Sequence, residues 1–318
     1  MASGIGLLFP GQGSQSVGMG RALYDAQPLV RKTYEEAGTI LGYDVAALCF
    51  NGPAERLNLT EYTQPALLTA SIAALRLLEP LGLRPLAVAG HSLGEYSALV
   101  AAGGVTFSAA VSLVQKRGRY MAEAVSPGTG LVAAILGLSE EAVREACREA
   151  SERGVVAPAN FNCPGQVVIA GEKAAVERAI ELVKARGCRK AIPLPVSVPV
   201  HTPLMQKAAD RLAADVAVTA FSDLEVPLVN NVDAKPLRRL TEVRDSLVRQ
   251  LPSPVLWEGS VRAMWEMGVR TFIEVGPGTV LTGLVKRIVP EAMTLNVHDP
   301  KSLESTLKGL ESLKVGKS

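Results

Sequence analysis

The 318-residue chain is poor in several things, and each shortage narrows what it can be. Aromatic residues make up 4%, too few to suggest the stacking surfaces that bind sugars or single-stranded nucleic acid. Neither sign of charge dominates. The 33 Lys and Arg stand against 31 Asp and Glu, so there is no basic footprint for nucleic acid. The four cysteines, Cys49, Cys147, Cys163 and Cys188, are widely spaced and form no Cys-x-x-Cys pair. That spacing suggests no zinc site, and reduced thiols are expected. No basic segment followed by an apolar run opens the chain, and no apolar stretch approaches about 20 residues. The expectation is a soluble, cytoplasmic protein with no membrane or nucleic-acid partner and no metal.

What is present is a chain long enough for a substantial core. Short apolar runs alternate with amphipathic stretches, which favours an α/β fold with parallel strands. Residues 5–9 and 86–89 read as strands, 21–41 and 64–78 as helices. Past Ser126-Pro127-Gly128-Thr129-Gly130 the character changes. Strands are expected at 131–136, 155–157, 166–170 and 190–196. Helices are expected from Ser139-Glu140-Glu141, a capping pattern, and over 172–186, closed by Gly187. That β-α-β-β-α-β order is ferredoxin-like. It reads as a small domain, 126–196, inserted into a larger one built from 1–125 and 197–318. Beyond it, helices are expected at 202–216, at 255–267 and from about 280, with strands at 226–229 and 271–275.

Gly90-His91-Ser92-Leu93-Gly94 lies between the strand at 86–89 and a helical stretch from Glu95. Strand, Gly-x-Ser-x-Gly and helix in that order describe a nucleophile elbow. The same pentapeptide recurs by chance in unrelated chains; its flanks carry the meaning. A serine nucleophile needs a base, and only three histidines exist. His91 adjoins the serine, where successive side chains point in different directions. His298 lies at the end of a strand. His201, in Val198-Pro199-Val200-His201-Thr202-Pro203, remains by elimination; the plainer alternative is a solvent-facing histidine at a helix entry. No acid stands out to complete a triad: Asp233 and Asp299 are candidates but read as turn residues, and a backbone carbonyl or an amide side chain is the alternative orienter. The loop Pro10-Gly11-Gln12-Gly13-Ser14 fails the dinucleotide fingerprint, because Ser16 stands where its third glycine belongs. It fits better as a source of an oxyanion N–H. Arg117 borders a buried stripe of Val111, Val114, Gly118 and Met121, and there it could fork onto a carboxylate. A solvated helix face is the alternative.

Six segments occur in order: 9–15, 90–98, 115–118, 198–201, 250–255 and 274–278. In these the chain closely resembles the malonyl-CoA:acyl carrier protein transacylases of dissociated bacterial fatty-acid synthesis, over nearly its full length. The resemblance implies a hydrolase-like core bearing the elbow. It implies ping-pong transfer of malonyl from malonyl-CoA to the phosphopantetheine thiol of acyl carrier protein, with no cofactor. It makes Ser92 the nucleophile, His201 its base and Arg117 the holder of the malonyl carboxylate. The amides of Gln12 and Leu93 become the oxyanion hole. Gln250 orients His201 through its main-chain carbonyl, and Asn162 faces the cleft from the insert. Val200 departs from the small polar residue common in such relatives, in a neighbourhood thought to sense the malonyl α-carbon.

Three rival functions follow from the same residues. One is a thioesterase or other hydrolase of the elbow class. The second is a catalytically idle scaffold for carrier-protein docking. The third is a discrete acyltransferase serving a polyketide synthase, with the same chemistry and a different carrier. Carrier proteins of this kind are acidic, so Arg189-Lys190, Arg238-Arg239 and Lys286-Arg287 are docking candidates, with solvated surface as the plainer reading. The enzyme is expected to be a monomer.

Overall fold

The first two aliphatic runs pair with each other in the computed structural model, which describes residues 4–126, 128–194 and 198–315. Among the described residues the strands are β1 (Gly4–Phe9), β2 (Ala87–Gly90), β3 (Gly130–Leu136), β4 (Val156–Cys163), β5 (Gln166–Glu172), β6 (Lys190–Pro193), β7 (Leu228–Val229), β8 (Pro236–Leu237), β9 (Val269–Val275) and β10 (Met293–Val297). They form two sheets. The larger has the order β10-β9-β1-β2-β7-β8, parallel except for the antiparallel edge strand β8. The smaller has the order β4-β5-β3-β6 and is antiparallel throughout. The chain is therefore α/β, with a mixed, mostly parallel sheet and a separate antiparallel one.

Period-two alternation explains why the larger sheet is covered on both faces. In β1, Leu7 and Phe9 join a core with Leu67 and Val114, while Leu8 joins a second core with Ala87, Trp257 and Val261. The first core is roofed by helices Thr60–Arg76 and Phe107–Glu123, the second by Trp257–Glu266 and Val280–Ile288. The smaller sheet packs one face on helices Glu140–Ala150 and Lys173–Ala185, with Ile135, Val143, Ile169 and Val176 between them. Ser139 caps the first of these through Ala142 N–H.

Several boundaries differ from expectation for local reasons. The helix expected over 21–41 is two, Arg21–Ala26 and Pro28–Leu41, because Pro28 cannot continue a helix but starts one well. Strand β4 runs to Cys163, well past the expected end at 157. Strand β4 includes Pro158, which is tolerated there because β4 is an edge strand. The helix Thr60–Arg76 begins before the expected residue 64 and carries Pro65 inside it. Strand β6 ends at Pro193, and residues 195–197, with the expected boundary at 196/197, lie outside the described residues, as does Pro127.

Candidate active site

The loop after β1 and the turn after β2 meet at the carboxyl ends of adjacent parallel strands, where open α/β sheets bind ligands. The turn is sharp. A Cβ on Gly90 would run into the backbone of Gly94. Ser92 sits at φ 51°, in the left-handed region that non-glycine residues avoid. Helix Gly94–Ala101 begins immediately after it. Ser92 thus rests on a helix N-terminus, where N–H groups point outward and negative charge is favoured.

The Ser92 Oγ lies 2.8 Å from His201 Nε2. His201 Nδ1 lies 3.0 Å from the Gln250 carbonyl oxygen. A carbonyl only accepts, so Nδ1 carries the proton and Nε2 is free to accept from the hydroxyl. His201 is buried, at φ 59°. Its burial and the Arg117 charge push its pKa down to about 3, against the Gln250 carbonyl, which raises it. The imidazole is therefore neutral at physiological pH.

Arg117 is not at the border of a stripe; it is fully buried. Its Nη1 donates to Gln64 Oε1 at 2.8 Å, and its Nη2 to Gln250 Oε1 at 2.7 Å and Ser92 Oγ at 3.2 Å. Gly118 is the reason Gln64 reaches it. A Cβ there would meet the Thr60 carbonyl at 2.6 Å, so only glycine lets the two helices approach so closely. Burial lowers the Arg117 pKa, opposed by Tyr96 and Glu95. The guanidinium is a cation held at Ser92.

The amides of Gln12 and Leu93 donate to no protein acceptor among the described residues, and both residues line the cavity in front of Ser92. The Ser92 N–H is committed to Asn231 Oδ1 at 2.7 Å. The cavity's far wall comes from the smaller sheet and the segment after it: Val132, Asn160, Val168, Leu194 and Val200. Asn162 does not line it. Its Oδ1 lies 2.9 Å from His91 Nε2, and the His91 ring packs on Trp257. That arrangement occupies His91 elsewhere than on Ser92. Burial lowers the His91 pKa, partly offset by Asn162.

The remaining sequence candidates lie outside this cluster. Asp233 pairs with Arg249 at 2.8 Å, and Asp299 accepts from Ser302 N–H at 2.7 Å. His298 sits beside Asp299. Of the basic pairs, Arg238 donates to the Glu225 carbonyl and Arg287 to Gln166 and the Pro164 carbonyl. Among the described residues no group of three or more His, Cys, Asp or Glu could hold a metal ion, and no helix is long and apolar enough to cross a membrane. Gln64 and Asn231 lie outside the six segments; Glu95 lies within 90–98, where nothing marks its contact with Asn231.

The family model described as acyl transferase domain matches residues 7–305. The chain is 53% identical to the malonyl CoA-acyl carrier protein transacylase of Escherichia coli K12, over 95% of this chain and 98% of that one. An acyl carrier protein S-malonyltransferase of Vibrio cholerae, solved at 1.7 Å, shares 50% identity and a TM-score of 0.93, covering 96% of this chain and all of that one. A malonyl-transacylase solved in complex with its type II PKS acyl-carrier protein gives 49% identity and a TM-score of 0.95, with 96% and 100% covered. With a cation held at a strained serine, a neutral histidine beside it and likeness of this extent, the chain belongs to the acyl transferase family, among the malonyl CoA-acyl carrier protein transacylases.

Proposed function

We propose that the protein moves malonyl from malonyl-CoA to the phosphopantetheine thiol of acyl carrier protein by a ping-pong route through Ser92. The observation that carries this reading is the buried Arg117 guanidinium, 3.2 Å from Ser92 Oγ. A fixed cation beside the nucleophile suits an acyl group that bears its own carboxylate. Ser92 Oγ attacks the thioester carbonyl while its proton passes to His201 Nε2. The oxyanion forms against the Leu93 and Gln12 amides. The C–S bond breaks, His201 returns the proton to the CoA sulfur, and a malonyl-serine ester remains. The carrier thiol then loses its proton to His201 and attacks that ester, and Ser92 leaves with the proton. Gln250 fixes the His201 tautomer through its carbonyl, in place of an acid.

In this reading the turn at Ser92 is a nucleophile elbow on a hydrolase-like core. Residues 126–196 form a ferredoxin-like insert between 1–125 and 197–318, and Asn162 supports the cleft through His91. The thioester supplies an activated acyl group and the fixed dipoles supply the electrostatics, so the reaction needs no resident cofactor or metal. The enzyme works as a cytoplasmic monomer. A polyketide carrier is the second reading, favoured by the relative solved with such a carrier; transfer rates to the two carrier types separate them.

Intact-mass measurement of loading tests the main reading. Losing the charge pair costs about 3 kcal/mol, so Arg117→Ala should slow malonyl loading roughly 10²-fold while sparing acetyl-CoA. Equal loss for both acyl groups would reject the carboxylate role and favour a general hydrolase site.

A further inference from the structure

We propose that Asn231 is a positioning residue for Ser92, holding the nucleophile's turn in register with its base. This rests on Ser92 being the nucleophile. Asn231 is fully buried, and all its polar groups are engaged. Its Oδ1 accepts the Ser92 N–H at 2.7 Å, and its Nδ2 donates to the Gly90 carbonyl at 2.8 Å. One amide therefore grips both sides of the turn through main-chain groups. Its own N–H donates to Glu95 Oε2 at 2.9 Å, and its carbonyl accepts from Leu256 N–H at 2.8 Å.

Those last two contacts give the grip its purpose. Glu95 belongs to the helix that starts behind Ser92 and is itself fully buried. Leu256 belongs to the segment that follows Gln250, whose carbonyl holds His201. The Gln250 side chain completes the loop, donating to the Ser92 carbonyl at 3.1 Å and reaching Asn231 Oδ1 at 3.4 Å. Nucleophile and base, 109 residues apart in sequence, are thus referenced to one amide.

A left-handed φ at Ser92 is strained and persists only when its surroundings over-determine it. Asn231 does so on the Ser92 N–H, as Gln250 does on its carbonyl. It also turns the Ser92 N–H away from the cavity, leaving the oxyanion to the Leu93 and Gln12 amides. Without it, Ser92 N–H and Gly90 C=O would be buried and unpaired, a state the turn would relax to escape.

The experiment is single-turnover malonyl loading followed by intact mass, with thermal unfolding of each variant measured alongside. Because misplacement by about 1 Å can cost 10²-fold, Asn231→Ala should lower the loading kcat by about that factor. Because Arg117 is untouched, its KM for malonyl-CoA should stay within about threefold of wild type. Asn231→Asp has the same shape but no donor for Gly90. It should show the same split, with a kcat loss of more than about tenfold, and serves if the alanine variant does not fold. A merely structural role would lower the unfolding temperature and leave the rate of folded molecules unchanged. The proposal is overturned if either folded variant loads with a kcat within about threefold of wild type, or if the loss falls in KM alone. Failure of the wild type to load Ser92 would instead overturn the function itself.

Discussion

The two sheets do different work. The larger one places chemistry at the ends of its strands: Ser92 follows β2, Gln12 follows β1, and Asn231 follows β7. The smaller one presents mostly aliphatic side chains to the same cavity, Val132 from β3 and Val168 from β5, with Asn160 from β4 as its polar exception. One region bears a strained serine and polar side chains; the other is mostly aliphatic wall. Parallel strands buried on both faces end together in a cluster of turns, and turns can present backbone N–H groups. An antiparallel sheet with one helix-covered face leaves its other face free to serve as a wall.

That division can be broken at several points. The largest effect belongs to the chemical side. Ser92→Ala should reduce malonyl loading by about 10⁴-fold or more, with no covalent adduct in the intact mass. A persistent adduct would move the nucleophile elsewhere. Next comes the base. His201 is depressed to about 3 by burial first and Arg117 second, so it stays neutral well below the ordinary histidine value. The kcat/KM for loading in the wild type should therefore stay level down to about pH 5, with no inflection near 6.5. Removing the Arg117 charge removes one lowering cause. The acid limb of Arg117→Ala, followed with acetyl-CoA, should accordingly climb toward 6.5. An acid limb that does not move would deny the coupling.

On the wall, Val168→Ala should raise the methylmalonyl-to-malonyl ratio of kcat/KM by about 10- to 100-fold, because one pocket methylene is worth about 1–3 kcal/mol. Malonyl kcat should hardly change. A large loss of malonyl kcat would mean that the two sheets do not divide the work as described. The smallest effect is expected where the sheets are tied at the surface. Arg287 is exposed and reaches across to Gln166 and Pro164. Arg287→Ala should cost under about 1 kcal/mol in denaturant unfolding.

The difference between the sheets also explains what could be read from the sequence. The Ser92 turn was legible because glycines, a strand and a helix must stand close together in sequence to build it. The order of strands and helices in the smaller sheet was legible for the same local reason. Residues whose roles depend on distant partners were not. Arg117 read as a border residue because its stripe shows only its own helix; Gln64, 53 positions away, closes over it. Asn231 meets Gly90 across 141 positions, and nothing around Asn231 marks it. Gln250 fell to the resemblance rather than to spacing, because what His201 uses is its main chain, which has no sequence signal.

One seam bears on how such proteins can be recombined. The exposed edge of β4 does not end in solvent: Phe161 N–H donates to the Val255 carbonyl and Val255 N–H to the Ala159 carbonyl, each at 2.9 Å. Val255 lies five positions after Gln250, whose carbonyl steadies His201. A graft that exchanges the smaller sheet between relatives, to change which acyl group is accepted, would also replace half of this seam. The cut that preserves the His201 contact is one that carries 250–256 along with the donor sheet, so that wall and histidine support arrive as a matched pair.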